Sequence, residues 1–311
     1  MMQSIHKAII PIAGYGTRLF PATKAVPKAL FPIIAQDGLA KPIIQLIIEE
    51  ALSAGVEEVC LVAQPHQVEP ITEYFSGSVP DAIREKPELA EQADRLTEIG
   101  ERLQFAIQAE PQGFGHAIYC AKDFAAGAPV MILLGDHLYI SDTDDSCAKQ
   151  LADVYTQAGK SVTSLDVCNE SELSVNGIVQ GSSEPSNPRL FELARIAEKP
   201  TVDFARENMR VDRVWDAQET HQYLCHFGID LLTPLLFDIL DYNYRNQILT
   251  HGEIQLRDAM AEVVKQEGMF GYRIAGSRYD TGNPQELLKT AYTFGLHGPY
   301  RDISIQSSAN L

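Results

Sequence analysis

The strongest constraint on the fold lies near the N-terminus, where two short apolar runs flank a helical stripe. Residues 7–13 (KAIIPIA) form a buried-strand run ending in a glycine-rich turn, with Pro11 weakening regular pairing at its end. After a loop rich in Gly, Pro and Lys, IIQLIIEEALSA places apolar residues at 43, 44, 47, 48, 51 and 54, one face of a helix. Pro42 suits the first turn of that helix and Gly55 the cap after its last. EVCLVAQ (58–64) is a second buried strand. Such a unit needs a crossover, so its strands lie parallel and the sheet carries helices on its faces.

The alternation continues. A helix is expected near 66–76, strands at 103–109 and 129–136, and helices over 113–125 and about 145–158. The stretch 81–101 holds seven Asp/Glu against three Lys/Arg, which predicts a solvated, partly helical insertion. Beyond it the pattern turns β-rich. SVTSLDV, NGIVQ, LFELARIAEK and HQYLCHFGID read as strands, with helices near 231–240, 253–267 and 284–295 and FGYRIAG between the last two. No repeat or long linker interrupts this, so the expectation is one α/β domain with an elaborated C-terminal half.

Charge limits the partners. Lys+Arg 25 against Asp+Glu 42 gives a net charge of −17, and no basic patch or tail is present. That speaks against nucleic acid and anionic membrane surfaces, while a small phosphorylated ligand needs only a few placed cations. Five widely spaced cysteines with no CxxC pair predict reduced thiols in a cytoplasmic protein. The N-terminal apolar stretch is too short for a signal peptide, and no apolar run reaches ~18 residues.

The loop Ala13-Gly14-Tyr15-Gly16-Thr17-Arg18-Leu19-Phe20-Pro21-Ala22-Thr23-Lys24 carries the strongest chemical signal. Glycines directly after a strand let main-chain N–H groups approach phosphate oxygens, at the strand end where open α/β sheets bind ligands. Leu19 stands where a dinucleotide fingerprint has its third glycine, and GxxxxGK[ST] is absent. Arg18, Lys24 and Lys28 gather three cations in this acidic chain. Asp136 follows VMILLG and offers a hard oxygen ligand for Mg²⁺, although it also fits a turn or helix cap. Asp280, in YDTGNP, reads equally as a helix N-cap, and Lys199, in AEKP, as an exposed surface lysine. His116, His137, His221 and His226 lack metal-ligand spacing and read as structural or as supporting a ligand-binding residue from behind.

Taken together, AGYGTRLFPATKAVPKALFP, QAEPQGFGHA, LLGDHLY, AEKP, GEIQLRDA and YDTGNP resemble, in order, the bacterial UTP–glucose-1-phosphate uridylyltransferases of the sugar nucleotidyltransferase superfamily, over about residues 5–295. The resemblance implies a Rossmann-like mixed, mostly parallel sheet flanked by helices, with a β-rich sugar-binding region. It implies one domain over 1–296, nucleotide-binding to about 160 and sugar-binding from 161, with a tail at 297–311. It further implies that Ala13, Gly14 and Gly16 line the nucleotide, that Arg18 and Lys28 meet its phosphates, and that Gln108 and Gly113 read the base. Asp136 and Asp280 would hold Mg²⁺, while Gly177, Glu198 and Lys199 would hold glucose 1-phosphate. Arg18, Lys28 and Lys199 would be the catalytic cations, and the chain would form a homodimer or homotetramer.

Three departures bear on specificity. Ala29 stands where relatives commonly have Glu, Gln112 where they have Lys, and 35–41 is longer than usual. A changed group near a base alters which bases are rejected. Transfer from dTTP or CTP, or to another sugar phosphate, therefore stays open as an alternative, as does a non-catalytic nucleotide-sugar-binding regulator.

Overall fold

The fully buried runs form the spine of the sheet. The computed structural model describes residues 4–211 and 223–302. Its strands are β1 (Lys7–Pro11), β2 (Pro32–Ile34), β3 (Ala40–Pro42), β4 (Glu58–Ala63), β5 (Leu103–Ile107), β6 (Val130–Leu133), β7 (His137–Ser141), β8 (Val162–Cys168), β9 (Gly177–Glu184), β10 (Asn187–Glu198), β11 (Tyr223–Leu232), β12 (Phe270–Arg273) and β13 (Gly276–Asp280). Nine of them make one sheet in the order β5-β4-β1-β6-β11-β8-β12-β10-β9.

The N-terminal strands pair in parallel, as the crossover helix Ile43–Ser53 requires. The later strands pair mostly antiparallel, the exception being β8 with β12. β11 joins the two regions. Its C-terminal half pairs with both β6 and β8, and its N-terminal half pairs with both β8 and β9. Since β8, β12, β10 and β9 also pair in series, the later strands close a ring on β11. The register shift that permits this lies between His226 and Asp230, around Gly228 at φ 114.

Several boundaries move for local reasons. Helix 113–125 breaks at Ala121 into Phe114–Cys120 and Lys122–Ala125. The helix expected near 231–240 begins at Leu235, because β11 runs to Leu232 and Pro234 sits just before the first turn. Pro42 is the cap of its helix rather than a residue of the first turn. The acidic stretch forms helices Asp81–Arg84 and Pro87–Gly100, with only Ala93 and Ile99 buried. The long 35–41 segment closes a β2–β3 hairpin, held by Lys41 between Asp37 (2.7 Å) and Glu49 (3.0 Å). All five cysteines are free, and no helix among the described residues is long and apolar enough to cross a membrane. His221, and most of the 297–311 tail, lie outside the described residues.

Candidate active site

At the carboxyl ends of β1 and β6 the chain turns sharply. Gly135 packs so tightly on β1 that a Cβ there would come within 2.2 Å of the Pro11 carbonyl. This forces the run read as one strand to end at Leu133 and sends Asp136 into the crevice. The chain then returns as β7, which forms an antiparallel ribbon with β13 and sets Asp280 opposite His137. Thr281 fixes the corner, because its N and its Oγ1 both donate to the Asp136 carbonyl at 2.8 Å. Asp280 is therefore a ribbon residue and not a helix cap. The cap is Asn283, whose Oδ1 accepts from Glu286 N at 3.0 Å.

The charges at this corner are interlocked. Lys28 Nζ donates to Asp136 Oδ2 at 2.7 Å, and His137 Nδ1 lies 3.0 Å from Asp136 Oδ1. Burial pushes the Asp136 carboxyl up, but the His137 hydrogen bond and the Lys28 charge outweigh it and hold the group well below the usual range. Ligand atoms of Asp136, His137 and Asp280 lie within 4.8 Å of one another. A residue not singled out in the sequence completes the cradle. A Cβ on Gly282 would stand 2.8 Å from Arg18 Nη2, 2.9 Å from Asp280 Oδ1 and 3.2 Å from Asp136 Oδ2. The bare Cα thus leaves open the space where a guanidinium and two carboxylates converge. Paired hard oxygens around such a gap suit a divalent cation.

The glycine loop closes the near side. Gly16 sits at φ 63, and a Cβ on it would meet Thr23 Cγ2 at 2.8 Å. Gly14, Lys24 and Lys28 line a cleft of 180 Å³ with Tyr15, His66 and Gln67. Ala13 is buried, whereas Arg18 and Lys24 are exposed. Ala29 packs into the apolar core, so the missing carboxylate leaves no gap in the cleft lining.

Gln108 ends the β5 segment in a buried position. Its Nε2 donates to the Gly113 carbonyl at 3.2 Å and to His116 Nδ1 at 3.0 Å. A carbonyl can only accept, so the amide orientation is fixed and Oε1 is the atom left for a ligand. Burial lowers the His116 pKa, in keeping with a neutral ring accepting at Nδ1. Gly113, at φ 108, lies against Ile254, whose carbonyl takes the Gly115 N–H at 2.8 Å.

Across the crevice the β9–β10 register sets Glu198 opposite Gly177. A Cβ on Gly177 would meet His226 Cδ2 at 2.9 Å and Glu198 Oε2 at 3.0 Å. Lys199 follows at φ 45, about half exposed, with Nζ 3.3 Å from Glu198 Oε1. Beneath this turn lies a buried network. Thr163 Oγ1 donates to Asp230, Arg257 Nη1 donates to Asp230 at 2.7 Å, and His226 Nδ1 lies 2.9 Å from Thr163 Oγ1. Burial, then the charges of Arg257 and Arg278, hold the His226 pKa well below 6.5.

The structure thus brings Arg18, Lys28, Asp136 and Asp280 together. It groups Gly177, Glu198 and Lys199 at a second position, and Gln108 with Gly113 at a third. Gly282 was missed, although it lies two residues after Asp280 in the quoted YDTGNP, whereas His137, read as structural or as supporting a ligand from behind, lies against Asp136 at 3.0 Å.

A family model described as nucleotidyl transferase matches residues 7–294. UTP--glucose-1-phosphate uridylyltransferase 1 of Staphylococcus saprophyticus is 35% identical over 300 residues, 95% of this chain and 94% of its own length. The UTP--glucose-1-phosphate uridylyltransferase of Staphylococcus epidermidis is 34% identical over 302 residues, 96% of this chain and 95% of its own. Among solved structures, a UDP-glucose pyrophosphorylase complexed with UDP-glucose aligns with TM-score 0.74 and 27% identity, over 93% of this chain and 98% of that one. A UTP-bound UGPase from Acinetobacter baumannii shares the fold at TM-score 0.76 and 24% identity, over 98% of each chain.

Proposed function

The chain belongs to the nucleotidyl transferase family, among the UTP–glucose-1-phosphate uridylyltransferases, and from that premise we propose that its crevice joins UTP and glucose 1-phosphate into UDP-glucose and pyrophosphate. The observation that carries this reading is the Asp136–Asp280 pair facing Arg18 across the bare Cα of Gly282.

A phosphate oxygen of glucose 1-phosphate forms the new bond to the α-phosphorus of UTP. The bond from that phosphorus to the bridging oxygen breaks, and pyrophosphate leaves. The second pKa of a phosphate monoester is ~6, so the nucleophile is largely dianionic at neutral pH and needs no protein base. The work left is positioning and charge stabilisation. Ala13, Gly14 and Gly16 line the nucleotide with main chain. Arg18 meets the triphosphate, and Lys28, held beside Asp136, sits by the phosphates. Lys199 leaves Glu198 for the sugar phosphate, which frees Glu198 for sugar hydroxyls beside Gly177. Mg²⁺ held by Asp136 and Asp280 would offset the repulsion between the two anions.

Base choice rests on Gln108. An acceptor at Oε1 matches the N3–H of uracil, whereas N3 of cytosine is itself an acceptor. Thymine presents the same N3–H, so dTTP is the favoured second reading. In this reading the site occupies one domain over 1–296, and the enzyme works in the cytoplasm as a dimer or tetramer, which light scattering checks.

The test is pyrophosphate release with Mg²⁺ and glucose 1-phosphate, offering UTP, dTTP, CTP, ATP and GTP separately, with a chelator control. UTP should exceed CTP by about 10²-fold or more in kcat/KM. Equal use of CTP would reject the role given to Gln108. No turnover with any nucleotide or sugar phosphate, with nucleotide sugar still bound, would favour a regulator.

A further inference from the structure

Arg278 lies two residues before Asp280 on β13, so both side chains leave the same face of the strand. Its Nη2 donates to Asn176 Oδ1 at 2.5 Å. Asn176 directly precedes Gly177, accepts Lys199 N on its carbonyl at 3.2 Å, and donates from Nδ2 to the Glu172 carbonyl at 3.1 Å. The guanidinium therefore reaches from the carboxylate ribbon to the turn that carries Gly177, Glu198 and Lys199.

Its charge is uncompensated there. Lys28 is paired with Asp136 at 2.7 Å and Lys199 with Glu198 at 3.3 Å, but Arg278 bonds a neutral amide and has no carboxylate partner among the described residues. A half-buried guanidinium with spare N–H donors and no counter-ion is suited to a planar, two-point grip on an anionic oxygen pair. The charge also acts inward, adding to burial and Arg257 in keeping His226 neutral.

We propose that Arg278 binds the phosphate of glucose 1-phosphate together with Lys199, on the side of that phosphate facing the Asp136–Asp280 pair. The proposal rests on the function given above. In the product the same phosphate is the β-phosphate of UDP-glucose, so Arg278 grips it before and after transfer. Uniform binding of this kind lowers KM more than it raises kcat.

Steady-state kinetics in both directions tests it. Arg278→Gln should raise KM for glucose 1-phosphate, and for UDP-glucose in the reverse direction, by about 30-fold, with KM for UTP within about 2-fold. Arg278→Lys keeps the charge and loses the two-point grip, so its KM should rise about 5-fold. Asn176→Ala separates binding from scaffolding, since it removes the anchor of Arg278 and leaves the cation; its KM should change by less than about 5-fold. Equal losses in Asn176→Ala and Arg278→Gln would overturn the proposal, because Arg278 would then act only by holding the turn. So would an unchanged KM in Arg278→Gln or, should that variant fail to fold, in Arg278→Lys. A wild-type chain that turns over no sugar phosphate would overturn the function itself, and this inference with it.

Discussion

Asp136 and Lys199 each follow the end of a strand and each face the same crevice, yet the two ends are built on opposite principles. The Asp136 carbonyl takes two hydrogen bonds from Thr281, its carboxylate is held by Lys28 and His137, and β6 beneath it is fully buried. Lys199 adopts φ 45 and is about half exposed, and its ammonium pairs, among the described residues, with the neighbouring Glu198 alone. A non-glycine residue in that region carries strain on the order of 1 kcal/mol, and an exposed ion pair returns little. The contrast places fixed charge where new charge must be stabilised, and adjustable charge where a substrate must enter and leave.

The largest expected effect is at the fixed end. Asp136→Asn keeps the shape and removes the charge, so kcat should fall about 10³-fold with far-UV circular dichroism unchanged. A loss under tenfold would break the comparison, since the corner would then matter for shape alone. Gly282→Ala tests the same corner through space. The added methyl would sit within 3.2 Å of Asp136 Oδ2 and 2.9 Å of Asp280 Oδ1. Activity should drop about 10²-fold, with Tm moving by only a few degrees because the strain is local. Full activity in Gly282→Ala would show that the gap is unused.

The same contrast explains what could be read from the sequence. The glycine loop and β1, β4 and β6 were legible because short-range pattern determines them: apolar runs, a helical stripe and two glycines. The Asp136–Asp280 meeting was not legible from spacing, because Thr281 and Asp136 lie 145 residues apart. Nothing local marks the β7–β13 ribbon, and the tight packing of Gly135 on β1 divides a run that reads as one strand. Only the family resemblance connected the two aspartates. Arg278 and Asn176 stayed hidden because their significance is mutual, and the β2–β3 hairpin and the helix Val202–Asn208 lacked periodicity long enough to register.

At the adjustable end the expected loss is smaller and of a different kind. Lys199→Ala should raise KM for glucose 1-phosphate about 30-fold, with kcat within about fivefold. A kcat loss matching that of Asp136→Asn would erase the distinction, since Lys199 would then act on the transition state as strongly as the fixed corner. An unchanged KM would remove it from the site.

The smallest effect probes what stands behind the fixed corner. Glu50, on the helix Ile43–Ser53, accepts the Ala148 N–H at 2.7 Å at the start of the helix Cys147–Ala158, beside Tyr139 of β7. Burial pushes its pKa from 4.5 up to about 6, against the opposing pull of the hydrogen bonds from Ala148, Ser146 and Cys147. The folded state therefore holds the proton more tightly than the unfolded chain does. Its contribution to stability is full below about pH 4.5 and is lost as pH rises through about 6. The change amounts to at most about 2 kcal/mol. Glu50→Gln removes this titration, so denaturant unfolding of wild type and variant between those limits should diverge as pH rises, with wild type losing stability relative to the variant. If the difference is flat across that window, Glu50 does not couple protonation to the packing behind β7, and the rigidity of the Asp136 corner must come from the Thr281, Lys28 and His137 contacts alone.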